Sequence, residues 1–299
     1  MRHVQVRKGV VALVLEPGMV QVGTHPHRSV LFTNLSAANE QWLLEAVRQR
    51  PQLAVRHLST ARAQLLGRLR HVGLLEGTGV PSVLDQLRVR VVGLDRVGVT
   101  LVRLLHEDGL RYLDLRDRRL VDVDVEAWFD PSSVGDTRQS ALQAELRGTG
   151  AFLSRLSAPH LVVTVEGRAV DHQRAGSLLS EDLPHLPIVV DDDVTQVGPL
   201  SFPGVGPCFL CVDLHRTEVL PNWPYLREQL MASAAAIPSG AQAHAAASMA
   251  ALLAVEAAPA LVAKATPPPT IVGRSWAVGP GGCSSSVWMP HGACLCRGV

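Results

Sequence analysis

Three short apolar runs open the chain, at residues 10–15, 19–24 and 29–34, separated by Glu16-Pro17-Gly18 and His25-Pro26-His27. Runs of this length between turn formers read as strands, so they predict a small antiparallel sheet. The spacing then becomes helical. Ser36 predicts the N-cap of a helix carrying Ala38, Trp42, Leu43 and Val47; residues 53–57 predict a second short helix. A third, capped by Ser59, carries Leu65, Leu66, Leu69 and Val72 on one stripe and stops at Gly73. Three strands followed by three helices predict a winged helix-turn-helix domain over residues 1–76.

Residues 77–86, GTGVPSVLDQ, read as a linker. Beyond them strands alternate with helices: strands at 87–94, 112–117, 161–165 and 187–192, helices at 98–107 and 137–147. That order predicts an α/β domain over residues 87–299 built on a doubly wound, mostly parallel sheet. The last hundred residues are less regular. They hold a Gly/Pro-rich segment with a cysteine pair, an Ala-rich helix starting near Ala241, a Pro267-Pro268-Pro269 break and a cysteine-bearing tail. There is no internal repeat.

Composition narrows the class without naming a chemistry. Of 299 residues, 47% are hydrophobic, 18% charged and 4% aromatic, a globular balance that excludes a largely disordered or fibrous chain. The net charge of +1 gives no whole-chain attraction to nucleic acid or membrane. Residues 1–76 nevertheless carry ten basic and four acidic side chains, so the first quarter is the basic part. The N-terminus lacks the small residues of a secretory cleavage site, which points to a cytoplasmic protein. The Ala-rich stretch is interrupted by Pro238, Gly240, His244, Glu256 and Pro259 and reads as a buried helix, not a membrane span.

The candidate chemistry lies in two places. In RVRVVGLDRVG, Gly93 ends a buried strand and Gly98 starts a helix, the setting in which backbone amides receive a phosphate. The middle glycine of a G-x-G-x-x-G turn is replaced by Asp95, whose charge opposes a triphosphate, so the turn reads as a vestige. Asp117 stands where a ribose-binding carboxylate is expected. The second place is the pair of thiol motifs Cys208-Phe209-Leu210-Cys211 and Cys294-Leu295-Cys296, four thiolates able to close a tetrahedral structural Zn²⁺ site. Cys283 is the spare, and His291 reads as a neighbour of the site or a surface group. Asp191-Asp192-Asp193 reads as a solvated strand end instead of a Mg²⁺ site. No H-E-x-x-H, G-x-S-x-G or G-K-[ST] motif occurs.

The segments GPLSFPGVGPCFLCVDLHRTEVLPNWPYLREQL and MPHGACLC resemble the ThiF-type fold related to ubiquitin-activating enzymes. More narrowly, the chain is similar to stand-alone leader-peptide-binding members found beside azole-forming cyclodehydratases of ribosomal peptide biosynthesis. QVGTHPHRSVLFTNL and LLGRLRHVGLLEG resemble the winged-helix peptide clamp that precedes the ThiF-type domain there. The resemblance implies zinc at Cys208, Cys211, Cys294 and Cys296, and a nucleotide site at Gly93, Gly98, Asp117 and Arg138. That site departs from the adenylating pattern: Asp95 sits in the turn, Arg138 stands for the lysine, and Glu166-Gly167 replaces an Asp. The departures imply a non-catalytic scaffold with a doubtful ATP site. Such a scaffold presents a precursor peptide to a partner cyclodehydratase-like enzyme and forms a homodimer.

The clamp implies β-augmentation, in which an acidic leader adds as a strand to the edge at residues 29–34. Val30, Phe32, Arg62, Leu66, Leu69 and Arg70 are its candidate contacts. Two alternatives remain on sequence alone: an active ATP-dependent adenylating enzyme of the same fold, and a winged-helix DNA reader using Arg62, Arg68 and Arg70.

Overall fold

The computed structural model describes residues 3–26, 28–78, 82–122, 126–234 and 236–297. The chain divides into two compact units, Met1–Pro81 and Ser82–Val299.

The first unit holds β1 (His3–Val6), β2 (Ala12–Glu16), β3 (Met19–His25), β4 (Arg28–Phe32), α1 (Ala37–Gln49), β5 (Leu53–Ala54), α2 (Thr60–His71) and β6 (Leu75–Thr78). The antiparallel sheet β2-β3-β4 is the one the apolar runs predict, with Val20 opposite Phe32 and Val22 opposite Val30. Ser36 and Ser59 cap α1 and α2 through their hydroxyls, which accept from the amides of Asn39 and Arg62. A second sheet, β5-β1-β6, was not visible in the pattern. Its strands are two to four residues long, and their partners lie some 50 to 75 positions apart in the chain. The helix expected at residues 53–57 is corrected to β5 followed by a single 3-10 turn, Val55–His57. Val6, Val20, Val22, Phe32, Leu43 and Leu69 are fully shielded at the centre of the unit.

Of the expected linker, Gly77 and Thr78 close β6, and residues 79–81 lie outside the described residues, as does His27 of the expected turn. Ser82 begins a reciprocally capped turn: its hydroxyl accepts from the Leu84 amide, and the Asp85 carboxylate accepts from the Ser82 amide at 2.7 Å. This turn buries Leu84 in the second unit.

The second unit runs β7 (Arg88–Val92), α3 (Arg96–Glu107), β8 (Tyr112–Arg116), α4 (Arg138–Glu145), β9 (Phe152–Leu153), β10 (Leu161–Gly167), α5 (His172–Ser180), β11 (His185–Val190), β12 (Thr195–Val197), α6 (Phe209–Val219), α7 (Trp223–Ala232), α8 (Gly240–Ala263), β13 (Arg274–Gly279) and β14 (Gly282–Val287). One eight-stranded sheet has the order β14-β13-β12-β11-β10-β7-β8-β9. The five strands from β9 to β11 are parallel, and β12, β13 and β14 continue antiparallel. β10 and β11 are buried almost throughout, which is why they read as unbroken apolar runs.

α8 is the one described helix long and apolar enough to cross a membrane by length and composition. Here it packs on α3 and over β12 and β13, with Ala243, Ala246, Ala250, Ala254 and Ala257 wholly shielded. The small alanine side chains let the two helix backbones approach closely.

The chain leaves β7 through α3 to β8 on one side, then returns to β10 on the other. The carboxyl ends of β7 and β10 therefore diverge into a crevice, the place where open α/β sheets bind ligands.

Candidate functional site

The crevice is a cavity of about 340 Å³ bordered by Gly93, Asp117, Arg119, Glu166, Asp171 and Arg174 among others. Both glycines of its turn are required by packing. Gly93 has φ +92°, and a Cβ there would stand 2.4 Å from the Val165 carbonyl oxygen. A Cβ on Gly98 would come within 2.2 Å of the Gly93 carbonyl oxygen.

The amides of the turn are already engaged. Gly93 N–H donates to Arg116 O at 3.0 Å, and Leu94 N–H to Asp117 Oδ2 at 2.8 Å. Asp95 is the N-cap of α3: its Oδ1 accepts from Val97 N–H at 2.9 Å and Gly98 N–H at 3.1 Å, while its carbonyl accepts from Val99 N–H at 2.9 Å. A helix N-terminus attracts anions through its unpaired N–H groups. At α3 the protein's own carboxylate occupies that position. Burial pushes the Asp95 carboxyl above its usual range, and the amides of Gly98 and Val97 offset this only in part.

Asp117 is similarly engaged. Its carboxylate takes a bidentate ion pair from Arg119, with Nη2 to Oδ2 at 2.6 Å and Nε to Oδ1 at 3.0 Å, and also accepts Arg119 N–H. Burial alone would raise this carboxyl, but Arg119 and the Leu94 amide outweigh it and hold the group below its ordinary value. A carboxyl depressed in the folded state contributes stability that is present above about pH 4 and is lost as pH falls further. Arg119→Gln is therefore expected to flatten the acid limb of a melting-temperature profile below about pH 4, while leaving the profile near neutrality parallel to wild type.

Every guanidinium lining the cavity is paired: Arg116 with Asp114 at 2.6 Å, Arg119 with Asp117, and Arg174 with Glu166 at 3.4 Å and Asp171 at 3.5 Å. Arg138, expected to face a phosphate, sits behind this lining, with its amide on Arg119 O at 2.8 Å and its charge acting on Asp117 and Asp95. It is buried, its Nε donates to Leu120 O at 3.3 Å, its guanidinium sits 6.0 Å from the Trp128 ring centroid, and it does not border the cavity. Glu166, in place of an Asp, accepts the Asp171 amide at 2.6 Å and so anchors the start of α5. In the acidic run, Asp192 pairs with Arg168 at 2.6 Å and Asp191 lies 3.6 Å from the same guanidinium.

The four cysteines converge, although more than 80 residues separate the two pairs. Sγ atoms lie 3.9 Å apart for Cys208 and Cys211, 3.7 Å for Cys208 and Cys294, and 3.5 Å for Cys211 and Cys296, with all four within 4.8 Å of one another. Those separations are too long for disulfides. They match the edge of about 3.8 Å of a sulfur tetrahedron with Zn–S bonds of about 2.3 Å. Burial pushes the Cys208 thiol up, and Cys296 is pushed up to about 11. The residues fit a tetrahedral metal ion, which would supply the charge that lets buried thiols ionise.

Beside the cluster, His291 Nε2 donates to Glu218 at 2.9 Å and its Nδ1 accepts Ala293 N–H, while His215 holds Met289 O at 3.0 Å. These bonds fasten the tail to α6. Cys283 is exposed on β14, away from the cluster.

In the first unit, a groove of about 770 Å³ runs between β4, the free edge of its sheet, and α2. Ser29, Leu31, Gln64, Gly67, Arg68 and His71 border it, together with Val30. Phe32, Leu66 and Leu69, expected as peptide contacts, are buried in the core, and Val30 is nearly so; their apolar spacing reports packing. Arg62 lies over the Trp42 ring at 5.2 Å, and Arg70 is exposed. Sequence reasoning passed over Arg68 as a peptide contact. Its Nη2 donates to Leu31 O at 2.9 Å while the guanidinium covers the Phe32 ring at 4.7 Å, so it caps the outward-facing backbone of β4.

No known protein-family profile matches the chain. No curated protein matches it either. Solved structures do. E. coli MccB with AMPCPP and MccA is 13% identical, with a TM-score of 0.67 over 99% of this chain and 100% of that one. The microcin C7 biosynthetic enzyme MccB in complex with N-formylated MccA gives 12%, 0.66, 99% and 99%. PaaA gives 12%, 0.60, 94% and 99%. At such identities the likeness speaks for architecture alone, and on that ground the chain has a ThiF-like fold.

Proposed function

We propose that this protein is a leader-peptide-binding scaffold that presents a ribosomally made precursor to a separate modifying enzyme, with a ThiF-like unit that no longer activates carboxylates. The observation that carries this reading is the self-occupied nucleotide turn. Asp95 caps the α3 amides and Arg119 claims the Asp117 carboxylate. A triphosphate entering there would find the helix-terminal donors and the Asp117 carboxylate already engaged, and would have to displace the Asp95 cap to reach them. Support for the peptide half comes from MccB, which is similar over nearly the whole chain and was solved with MccA bound.

In this reading the first unit is a winged-helix-like clamp. The leader adds as a strand along β4, takes the Leu31 carbonyl from Arg68, and leaves that guanidinium free for an acidic side chain of the peptide. Gly67 keeps the groove open, since a Cβ there would meet nothing within 4 Å. The sulfur tetrahedron holds structural zinc in this reading, and the protein acts beside a cyclodehydratase-like partner.

Fluorescence polarisation of labelled leader peptides from neighbouring reading frames tests the proposal. Micromolar binding is expected; no binding at tens of micromolar would remove it. Gly67→Leu supplies a sharper check. The substitution improves helix propensity by up to about 1 kcal/mol, so melting temperature should hold or rise, while the leucine fills the groove and weakens peptide binding at least about tenfold.

A further inference from the structure

Only two of the chain's 28 basic side chains outside histidine are lysines, and one of them ends α8. Lys264 is the C-cap there, in the left-handed conformation at φ 50°, a position that glycine would fill without strain. It borders a cavity of about 730 Å³ together with Arg88, His160, Phe202, Pro203 and Leu261. Arg88 is the first residue of β7 and His160 immediately precedes β10. The cavity therefore lies at the amino ends of the parallel strands, opposite the Gly93 turn.

The donors in this cavity are mismatched. Arg88 N–H donates to His160 Nδ1 at 3.1 Å, so a neutral His160 ring carries its proton on Nε2. That atom faces Arg88 Nη2 at 3.0 Å, donor against donor. With the other tautomer, the conflict passes to the Arg88 amide. Arg88 Nε is also buried without a hydrogen-bond partner. Neither Arg88 nor Lys264 forms an ion pair among the described residues. Glu181 and Asp182, which also border the cavity, are exposed and pair with neither.

Partial burial, then the Arg88 and Lys264 charges, depress the His160 pKa, as expected where cationic donors gather without an anion. An oxygen anion placed among them would accept from His160 Nε2, Arg88 and Lys264 at once. Phe202, Pro203 and Leu261 give the remaining wall an apolar character suited to a carbon skeleton.

We propose that this basal cavity is an oxyanion site, taking a ligand that carries a carboxylate or phosphate group on an apolar body. The site is independent of the peptide groove and of the crevice at the Gly93 turn.

Isothermal titration of the full chain with octanoate, acetate and inorganic phosphate tests it, alongside Lys264→Gly. That variant removes the charge and relieves the left-handed strain, so it should melt no lower than wild type. Binding by wild type and a loss of about tenfold or more in the variant are expected. Octanoate tighter than both acetate and phosphate assigns the natural ligand to carboxylates, whereas phosphate tighter than octanoate assigns it to phosphates. The His160 imidazole, followed by NMR and identified with His160→Gln, should titrate at higher pH when the ligand is bound. Equal binding by wild type and Lys264→Gly, no binding at millimolar concentration, or an unmoved His160 titration would overturn the proposal.

Discussion

Cys211→Ser is expected to abolish stoichiometric zinc binding and to free the segment from Trp288 onward, lowering stability by about 3–5 kcal/mol, the usual consequence of losing a structural cross-link. Cys208 is the N-cap residue of α6, Cys211 lies in its first turn, and Cys294 and Cys296 belong to the tail, so the cluster joins two parts of the chain that are more than 80 residues apart. Among the tail residues, Trp288 packs against the small core of Phe209, Val212 and Val189. Metal analysis of purified protein should give one zinc per wild-type chain and none for the variant. A strong chelator should lower the wild-type melting temperature to that of Cys211→Ser. Cys283→Ser is the control, because its side chain is exposed on β14, and it should match wild type in both respects.

Gly98→Ala should be nearly as damaging for a different reason. The added methyl would stand 2.2 Å from the Gly93 carbonyl, a backbone atom that cannot move without displacing β7 from β8 and β10. A cost of about 3–4 kcal/mol follows from overpacking at so close a contact, or roughly 10 °C for a unit of this size. Gly176→Ala in α5 provides the contrast. Its Cβ would meet nothing within 4 Å, and helix propensity predicts a gain of up to about 1 kcal/mol. Thermal unfolding of the two variants separates packing glycines from spare ones.

Gly98 also explains why the glycine turn is ambiguous in sequence. Close helix–strand packing requires Gly93 and Gly98 whether or not a phosphate is bound, so the two residues announce the fold and leave the chemistry open. The residue that decides the chemistry is Asp95, and its replacement of the middle glycine was legible. Its engagement as the α3 cap was not, because Asp is favoured both at helix starts and at metal-phosphate sites. Arg119 was hidden in Arg116-Asp117-Arg118-Arg119, where nothing in the spacing says which arginine meets Asp117; only the fold of the loop turns one of them back onto that carboxylate.

Four of the five parallel strands, the α3 turn, the Ala-rich helix and the four cysteines were readable because each carries a dense local signal, whereas β9 has only two residues. The antiparallel extension β12-β13-β14 was not readable either. β12 has three residues, and β14 is a polar, wholly exposed edge, so neither shows the alternation that marks a half-buried strand. The same holds for β1, β5 and β6 in the first unit. In the groove, helical spacing singled out Leu66 and Leu69, which face the core, whereas Arg68 between them faces β4. A periodic pattern locates the buried stripe of a helix and is silent about what the opposite stripe touches.

As proposed above, the crevice at the carboxyl ends of β7 and β10 no longer takes a nucleotide. Calorimetric titration of MgATP into the full-length protein, alone and with its peptide bound, addresses this directly, with pyrophosphate exchange as the companion readout. The expected result is no saturable heat below about 1 mM, an affinity weaker than about −4 kcal/mol, and no exchange. Micromolar uptake accompanied by exchange that Asp117→Ala abolishes would contradict it.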